Sequence, residues 1–367
     1  MYSSLRPVAV LCCLAGFIPR VFSDTASDLS AALAQYPSLS NLRQLVNQQP
    51  TVINTLFGNN KNFTLLAPSN EAFSSFASSH DRSLPSAEPD LLKNTLSYHI
   101  LAGGLTYSNF DGPRGITVPT LLTGELYNNR SSGVSLAANF GPGANGQVVL
   151  IQKQSDGYVQ VQASLLQVNL TALDKQWSGG YIQMVDHVFD LPKNCTETME
   201  DTDGLDALYE ALKESGAYGP IDTMPNVTCL GPNDDAFNAA GNPQKNFNTS
   251  ETNWMVRSHV IPQPLYPDQI QNGLVLQTLR NTSIEVRVEG EHIFFNNARV
   301  QSTALTNNGV VYVVDKILAR DPTPASGSAP TSTTDPSPSP TKNAADKPSA
   351  TKQFLLAVIV AGSFSLL

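Results

Sequence analysis

The residues of this chain that could do acid–base, metal or nucleophilic chemistry are five histidines, four cysteines and scattered carboxylates. The histidines are His80, His99, His187, His259 and His292. None stands in a His-x-x-x-His or His-Glu-x-x-His spacing, the arrangement that presents two zinc ligands on one helix face. No Gly-x-Ser-x-Gly elbow is present to expose a nucleophilic serine. Residues 141–146 read Gly-Pro-Gly-Ala-Asn-Gly, the letters of a dinucleotide fingerprint. That fingerprint needs a strand before it and a helix after it; here a proline sits inside and a strand-like Val148-Val149-Leu150-Ile151 follows. The segment reads as a loop. No catalytic residue, metal site or cofactor is expected, and the chain is read as a non-enzyme.

The chemistry that the sequence does advertise is modification. N-x-Ser/Thr sequons stand at Asn62, Asn129, Asn169, Asn194, Asn226, Asn248 and Asn281, which implies a heavily glycosylated surface if the chain is secreted. Secretion is what residues 1–23 suggest: Arg6, an apolar run from Val8 to Ile18, then Val21-Phe22-Ser23 as a cleavage signal. Cys12 and Cys13 would leave with it. Cys195 and Cys229 remain, an even pair in an oxidising compartment, and one disulfide between them is favoured over two buried thiols.

The other end carries a matching signal. Residues 354–367 form a terminal apolar run too short to cross a bilayer, with nothing charged after it. A polar spacer, 346–353, precedes it, and before that comes Asn343-Ala344-Ala345. Small site, spacer and apolar tail are the order of a signal for glycosylphosphatidylinositol (GPI) attachment, here at Asn343 with 344–367 removed. Residues 321–343 are rich in Pro, Ser, Thr and Ala and read as a stalk. The net charge of −9, without basic clusters, argues against nucleic acid as a partner.

Between these ends lies an internal repeat. Asn62-Phe-Thr-Leu-Leu-Ala-Pro-Ser-Asn-Glu-Ala-Phe73 aligns without a gap on Asn226-Val-Thr-Cys-Leu-Gly-Pro-Asn-Asp-Asp-Ala-Phe237. In each, a buried strand should end at Pro68 or Pro232, and Ser69 or Asn233 should cap the following helix. A helical segment running into Tyr98-His99 recurs as one running into Ser258-His259. Each histidine is read as a satisfied core residue rather than a ligand or base. A closing strand, Gly180-Tyr-Ile-Gln-Met-Val-Asp186, recurs as Gly309-Val-Val-Tyr-Val-Val-Asp315. The first unit is longer, with a Gly/Asn/Ser-rich insertion of loops or an added hairpin at about 106–147.

Three ordered motifs found twice resemble the fasciclin domain family, on Pro68, Asn70, Phe73, Tyr98, His99 and Asp186, and again on Pro232, Asp234, Phe237, His259 and Asp315. With both end signals the chain is similar to the GPI-anchored fasciclin-like surface proteins of fungi. The resemblance implies an α+β fold: two tandem fasciclin domains, each a β-strand wedge with helices packed on it. The organisation it suggests is signal peptide 1–23, first domain 24–192, second domain 193–320, stalk 321–343 and attachment signal 344–367. It implies a role in cell adhesion or in organising the surface or wall. Gly231 and Ser258 depart from the family pattern, and neither closing box carries the Asp-Ile pair that some animal members use to bind integrins, so integrin recognition is not carried over. The expected partners are surface or wall glycans, other surface proteins or the chain itself, with the membrane reached through the anchor. The expected location is extracellular, at plasma membrane or wall, with the vacuole as another destination. The alternative reading is an extracellular polysaccharide- or small-molecule-binding module using the enlarged loops of the first unit.

Overall fold

The computed structural model describes residues 24–58, 62–81, 83–127, 134–141 and 144–318. The segments expected to be a signal peptide, a stalk and an attachment signal with Asn343, and the sequon at Asn129, lie outside the described residues.

Both units follow one plan. The first runs α1 (Thr25–Leu33), α2 (Ser40–Gln48), α3 (Pro50–Phe57), β1 (Phe63–Pro68), α4 (Asn70–His80), α5 (Pro89–Tyr98) and β2 (Ile100–Leu101). It continues with β3 (Ile116–Pro119), α6 (Val134–Phe140), β4 (Val148–Lys153), β5 (Val159–Ala163), β6 (Leu166–Trp177) and β7 (Gly180–Val185). The second runs α7 (Cys195–Glu200), α8 (Asp206–Ser215), α9 (Tyr218–Thr223), β8 (Val227–Pro232), α10 (Asp234–Ala239), α11 (Thr249–Ser258) and β9 (Val260–Ile261). It ends with β10 (Val275–Gln277), β11 (Ser283–Glu289), β12 (His292–Phe295), β13 (Ala298–Thr306) and β14 (Gly309–Val314). The expected N-caps are present: the Ser69 hydroxyl accepts from Ala72 N at 3.2 Å, and Asn233 Oδ1 from Ala236 N at 2.9 Å. Three short helices precede the first strand of each unit, outside the repeat as the motifs define it.

Each unit builds a seven-stranded sheet, in the order β2-β1-β7-β6-β5-β4-β3 and β10-β11-β12-β13-β14-β8-β9. All pairs are antiparallel except β1 with β7 and β8 with β14. Of these, β1, β8 and β14 are buried along their whole length and are mostly apolar in sequence, while β7 carries Gln183 and leaves Tyr181 and Met184 half-buried. Leu65 faces the N-terminal helices with Leu29, Leu45 and Phe57, while Leu66 faces Tyr98, Phe110 and Val149. Cys229 and Leu230 divide in the same way in the second unit. The sheets curl toward closure. Ala102 N bonds Pro119 O at 2.8 Å and Leu121 N bonds Ile100 O at 2.9 Å, joining β2 to the end of β3; Leu279 N bonds Val260 O at 2.8 Å in the second. Few edge groups are left to pair with another chain.

Strand order aligns β3 with β10 and β4 with β11, so the stretch without a counterpart is 120–147, narrower than the sequence suggests. Among its described residues it forms no added hairpin. Short turns and α6 lead back to β4, and the segment packs against the second unit. Leu136, Val148 and Leu150 share one apolar cluster with Leu265, Tyr266 and Ile270. Gln147 Nε2 donates to Asn307 O at 2.6 Å, and Asn307 Nδ2 to Leu126 O at 2.9 Å. Ahead of it, Arg114 donates to the carbonyls of Pro267 (2.9 Å) and Ile270, and Asp268 accepts from the amide and hydroxyl of Thr117.

Candidate functional site

The repeated motif residues come together inside each unit as fastenings of the fold. His99, at the C-cap of α5, is buried; its Nδ1 bonds Thr95 O at 2.8 Å and its Nε2 accepts from Phe189 N at 3.1 Å. His259 repeats this at the C-cap of α11, with Met255 O at 2.8 Å and Leu318 N at 2.9 Å. Both ring nitrogens are used, which fixes the neutral tautomer with its proton on Nδ1. Burial lowers each pKa from 6.5 to about 4. These histidines clip a helix to the segment after the closing strand, as the sequence reading of satisfied core residues expects.

The other motif positions are equally structural. Asn70 Oδ1 accepts from Asn41 N at 2.9 Å, and Asp234 Oδ1 from Ala207 N at 2.9 Å, so each caps the first turn of a helix elsewhere in its unit, α2 and α8. Asp186 Oδ1 accepts from Asn169 N (2.9 Å) and Asp315 Oδ1 from Arg299 N (2.7 Å), tying off the end of the β6–β7 and β13–β14 ladders. Phe73 and Phe237 are core, and Pro68 and Pro232 end their strands. Gly180 and Gly309 have φ of +132° and +155°, and a Cβ there would collide with the carbonyl of Phe63 or Val227. Only glycine lets the parallel strands begin side by side. Tyr98 is fully buried, its hydroxyl on Val148 O at 3.3 Å, so no part of it faces a partner.

The paired sequons carry a second meaning. The hydroxyl of Thr64 donates to Gly103 O at 2.7 Å and accepts from Leu105 N at 2.7 Å; Thr228 does the same with Gln263 O and Leu265 N. Both threonines are buried and needed by the fold, while Asn62 is exposed and Asn226 half-buried. Asn169, Asn248 and Asn281 are exposed and Asn194 half-buried. Asn194 and Asn248 cap α7 and α11 through their oxygens, and Asn169 Nδ2 bonds Asp186 at 2.7 Å.

Cys195 and Cys229 are both buried in one apolar cluster, and the structure holds them as free thiols rather than as the bridge expected from the sequence. Burial, with the neighbouring Cys229 adding to it, pushes the Cys195 thiol well above its ordinary pKa. Among the described residues no group of three or more His, Cys, Asp or Glu could hold a metal ion, and no helix is long and apolar enough to cross a membrane.

The fasciclin domain model matches residues 37–192 and again 203–320. The chain belongs to the fasciclin family. It is 28% identical over 304 residues to the fasciclin-like arabinogalactan protein CTB11 of Cercospora beticola, covering 80% of this chain and 76% of that one. It is 24% identical to the fasciclin-like arabinogalactan protein elcF of Phaeosphaeria nodorum, covering 81% and 90%. Similarity to the pig transforming growth factor-beta-induced protein ig-h3 is 25% over 71% of this chain, which spans only 35% of that relative's length. A solved fasciclin domain pair from the insect cell adhesion molecule fasciclin I covers 78% of this chain and 98% of its own at 18% identity, with a TM-score of 0.36.

What sequence reasoning missed is the open space. A cavity of about 480 Å³ lies between α4, α5, the β5–β6 turn and the segment after β7 in the first domain, with Lys193 and Asp201 at the start of the second on its rim. Its residues come from distant stretches that no motif links.

Proposed function

We propose that this fasciclin protein is a non-catalytic adhesion or surface-organising glycoprotein, displayed outside the cell on a GPI anchor. The observation that carries this reading is how the motif residues are used. In both domains every motif histidine, carboxylate and amide is spent on internal hydrogen bonds, leaving none as a base, ligand or nucleophile. What remains for function is surface. The names of the relatives, arabinogalactan proteins among them, support the same class. Surface or wall glycans, other surface proteins or a second copy are the partners proposed, with plasma membrane or wall as destination and the Cys195–Cys229 pair oxidised on the way out. Leu136 and Gln147, and the Leu126 carbonyl, contact the second domain, and the alternative reading is a polysaccharide- or small-molecule-binding module using the enlarged loops of the first unit.

One experiment tests anchor and adhesion together. Cells displaying the full chain are treated with phosphatidylinositol-specific phospholipase, and the released protein is coated on beads. Release, followed by bead clustering or bead binding to cell walls, is expected. Retention in the membrane fraction refutes the anchor; beads that neither cluster nor bind walls or cells refute adhesion.

A further inference from the structure

Because the chain contains one fold twice, some positions around the first domain's cleft have counterparts in the second. Ser164 and Asn296 occupy the same turn, after β5 and after β12, both with positive φ (+56° and +53°). Phe189 and Leu318 both give their backbone N–H to the motif histidine. Beside Ser164 and Phe189 lies a cleft of about 480 Å³, walled by Leu91 and Thr95 of α5 and, across the joint, by Lys193 and Asp201 at the start of the second domain; beside Asn296 and Leu318 lies a space of about 20 Å³ against Trp254 and Ser258 of α11. In the second domain Trp254 lines it, with the Arg280 guanidinium over its ring at 5.6 Å. In the first domain α4 runs on to His80, whereas α10 stops at Ala239, so Phe76 and His80 add a wall the second domain lacks.

We infer that the first domain's cleft binds a neutral ring compound bearing hydroxyl groups. The volume lies within the range of roughly 300–1,000 Å³ typical of small-molecule sites, and its lining is mainly apolar. Leu91, Leu165, Leu166 and Leu191 supply the apolar walls. Phe76 stacked on His80 (centroids 4.1 Å apart, planes at 19°) adds a fixed planar face, which suits a rigid ring better than a flexible chain. The rim decides the charge. His80 Nε2 is 3.1 Å from Asp190, and Lys193 Nζ is 2.5 Å from Asp201, so each basic group already has a carboxylate. An anion would have to displace one of them, and it would also meet the negative end of α4 at His80. A hydroxyl accepts from Lys193 and donates to a carboxylate without breaking either pair.

Sterols and phenols share this chemistry, and the test separates them. The purified protein is titrated with dehydroergosterol, read by its fluorescence, and with a hydroxylated biphenyl, read by calorimetry. A naphthalene sulfonate and a glucan oligomer run alongside. Binding of one or both neutral ring compounds at a single site is expected, and whichever binds identifies the source. Leu91→Trp should fill the cleft and Leu165→Ser should strip its exposed wall, each weakening binding about tenfold or more while the melting temperature stays at the parent value. The inference fails if neither neutral compound binds, if the sulfonate or the glucan binds more tightly than both, or if both variants keep the parent affinity. Adhesion in the bead assay is independent of this outcome.

Discussion

In the first domain His99 fastens α5 to Phe189, and in the second His259 fastens α11 to Leu318, with hydrogen-bond lengths that agree within 0.2 Å. Beside the first fastening lies an open cleft whose far rim is Lys193 and Asp201, at the start of the second domain. The same agreement runs through the pair. Thr64 and Thr228, Asn70 and Asp234, Asp186 and Asp315, Gly180 and Gly309 do matching work in matching places. The stretch 120–147, the extension of α4 and the cysteine pair occur once each. What recurs holds the fold, and what occurs once is where the domains can differ in function.

The largest effect that could break this comparison is acid. Each motif histidine titrates near 4 when folded and 6.5 when unfolded, so between these pH values the unfolded chain binds more protons. The stability the histidines contribute is complete above about pH 6.5 and is lost as the pH falls toward 4. At 1.36 kcal/mol per pKa unit each contributes about 3 kcal/mol, and both domains should weaken together. Denaturant melts from pH 7.5 to 4.5 check this. His99→Phe should flatten the slope in the first domain only, and His259→Phe in the second only. A slope unchanged in the double variant refutes the assignment.

The cysteine pair sharpens the comparison from the other side, since the first domain has Leu65 where the second has Cys229. If the pair closes in the secretory route, the second domain alone should lose roughly 3 kcal/mol on reduction, by the chain-entropy account of a loop of this size. The double Cys→Ala variant should fold and melt earlier in that domain. Alkylation of the native secreted protein after unfolding without reductant decides the matter: two modified thiols per chain mean no bridge.

Much of the fold was legible because the residues that enforce it are confined to short local patterns. The buried strand ending at Pro68, the cap at Ser69 and the closing box from Gly180 to Asp186 each act within a few residues or between two motifs. The cysteines were legible as neighbours, because Cys229 stands where Leu65 faces the N-terminal helices; their redox state is not a property of spacing. The three helices ahead of each first strand were missed. Their equivalence rests on contacts such as Ala26 N with Asn54 Oδ1 and Thr196 N with Asp222 Oδ1, both 3.0 Å, made by dissimilar side chains. The cleft was illegible for a stronger reason. It is a volume enclosed by distant stretches, and it appears only when α4, α5, the β5–β6 turn and the start of the second domain are assembled.

The smallest effect concerns the joint between the domains, where the insertion sets the first apart from the second. Arg114 reaches from the approach to β3 to the carbonyls of Pro267 and Ile270, while Asp268 returns two hydrogen bonds to Thr117. The two side chains thus cross the joint in opposite directions. Hydrogen bonds from a charged donor to half-buried acceptors contribute about 1.5–3 kcal/mol, more than an exposed ion pair. Arg287, paired with Glu289 on the surface of β11, supplies the control at under about 1 kcal/mol. Arg114→Ala should therefore cost one to two kcal/mol more than Arg287→Ala. That cost should fall on the coupling rather than on either domain. By calorimetry the parent is expected to unfold in one transition, because the apolar cluster from Leu136 to Tyr266 spans the joint. Arg114→Ala should broaden or split it, with the two histidine-dependent acid slopes now separable. A single transition with parental width in Arg114→Ala would show that the apolar cluster alone couples the domains and that the polar crossing at β3 only sets their orientation.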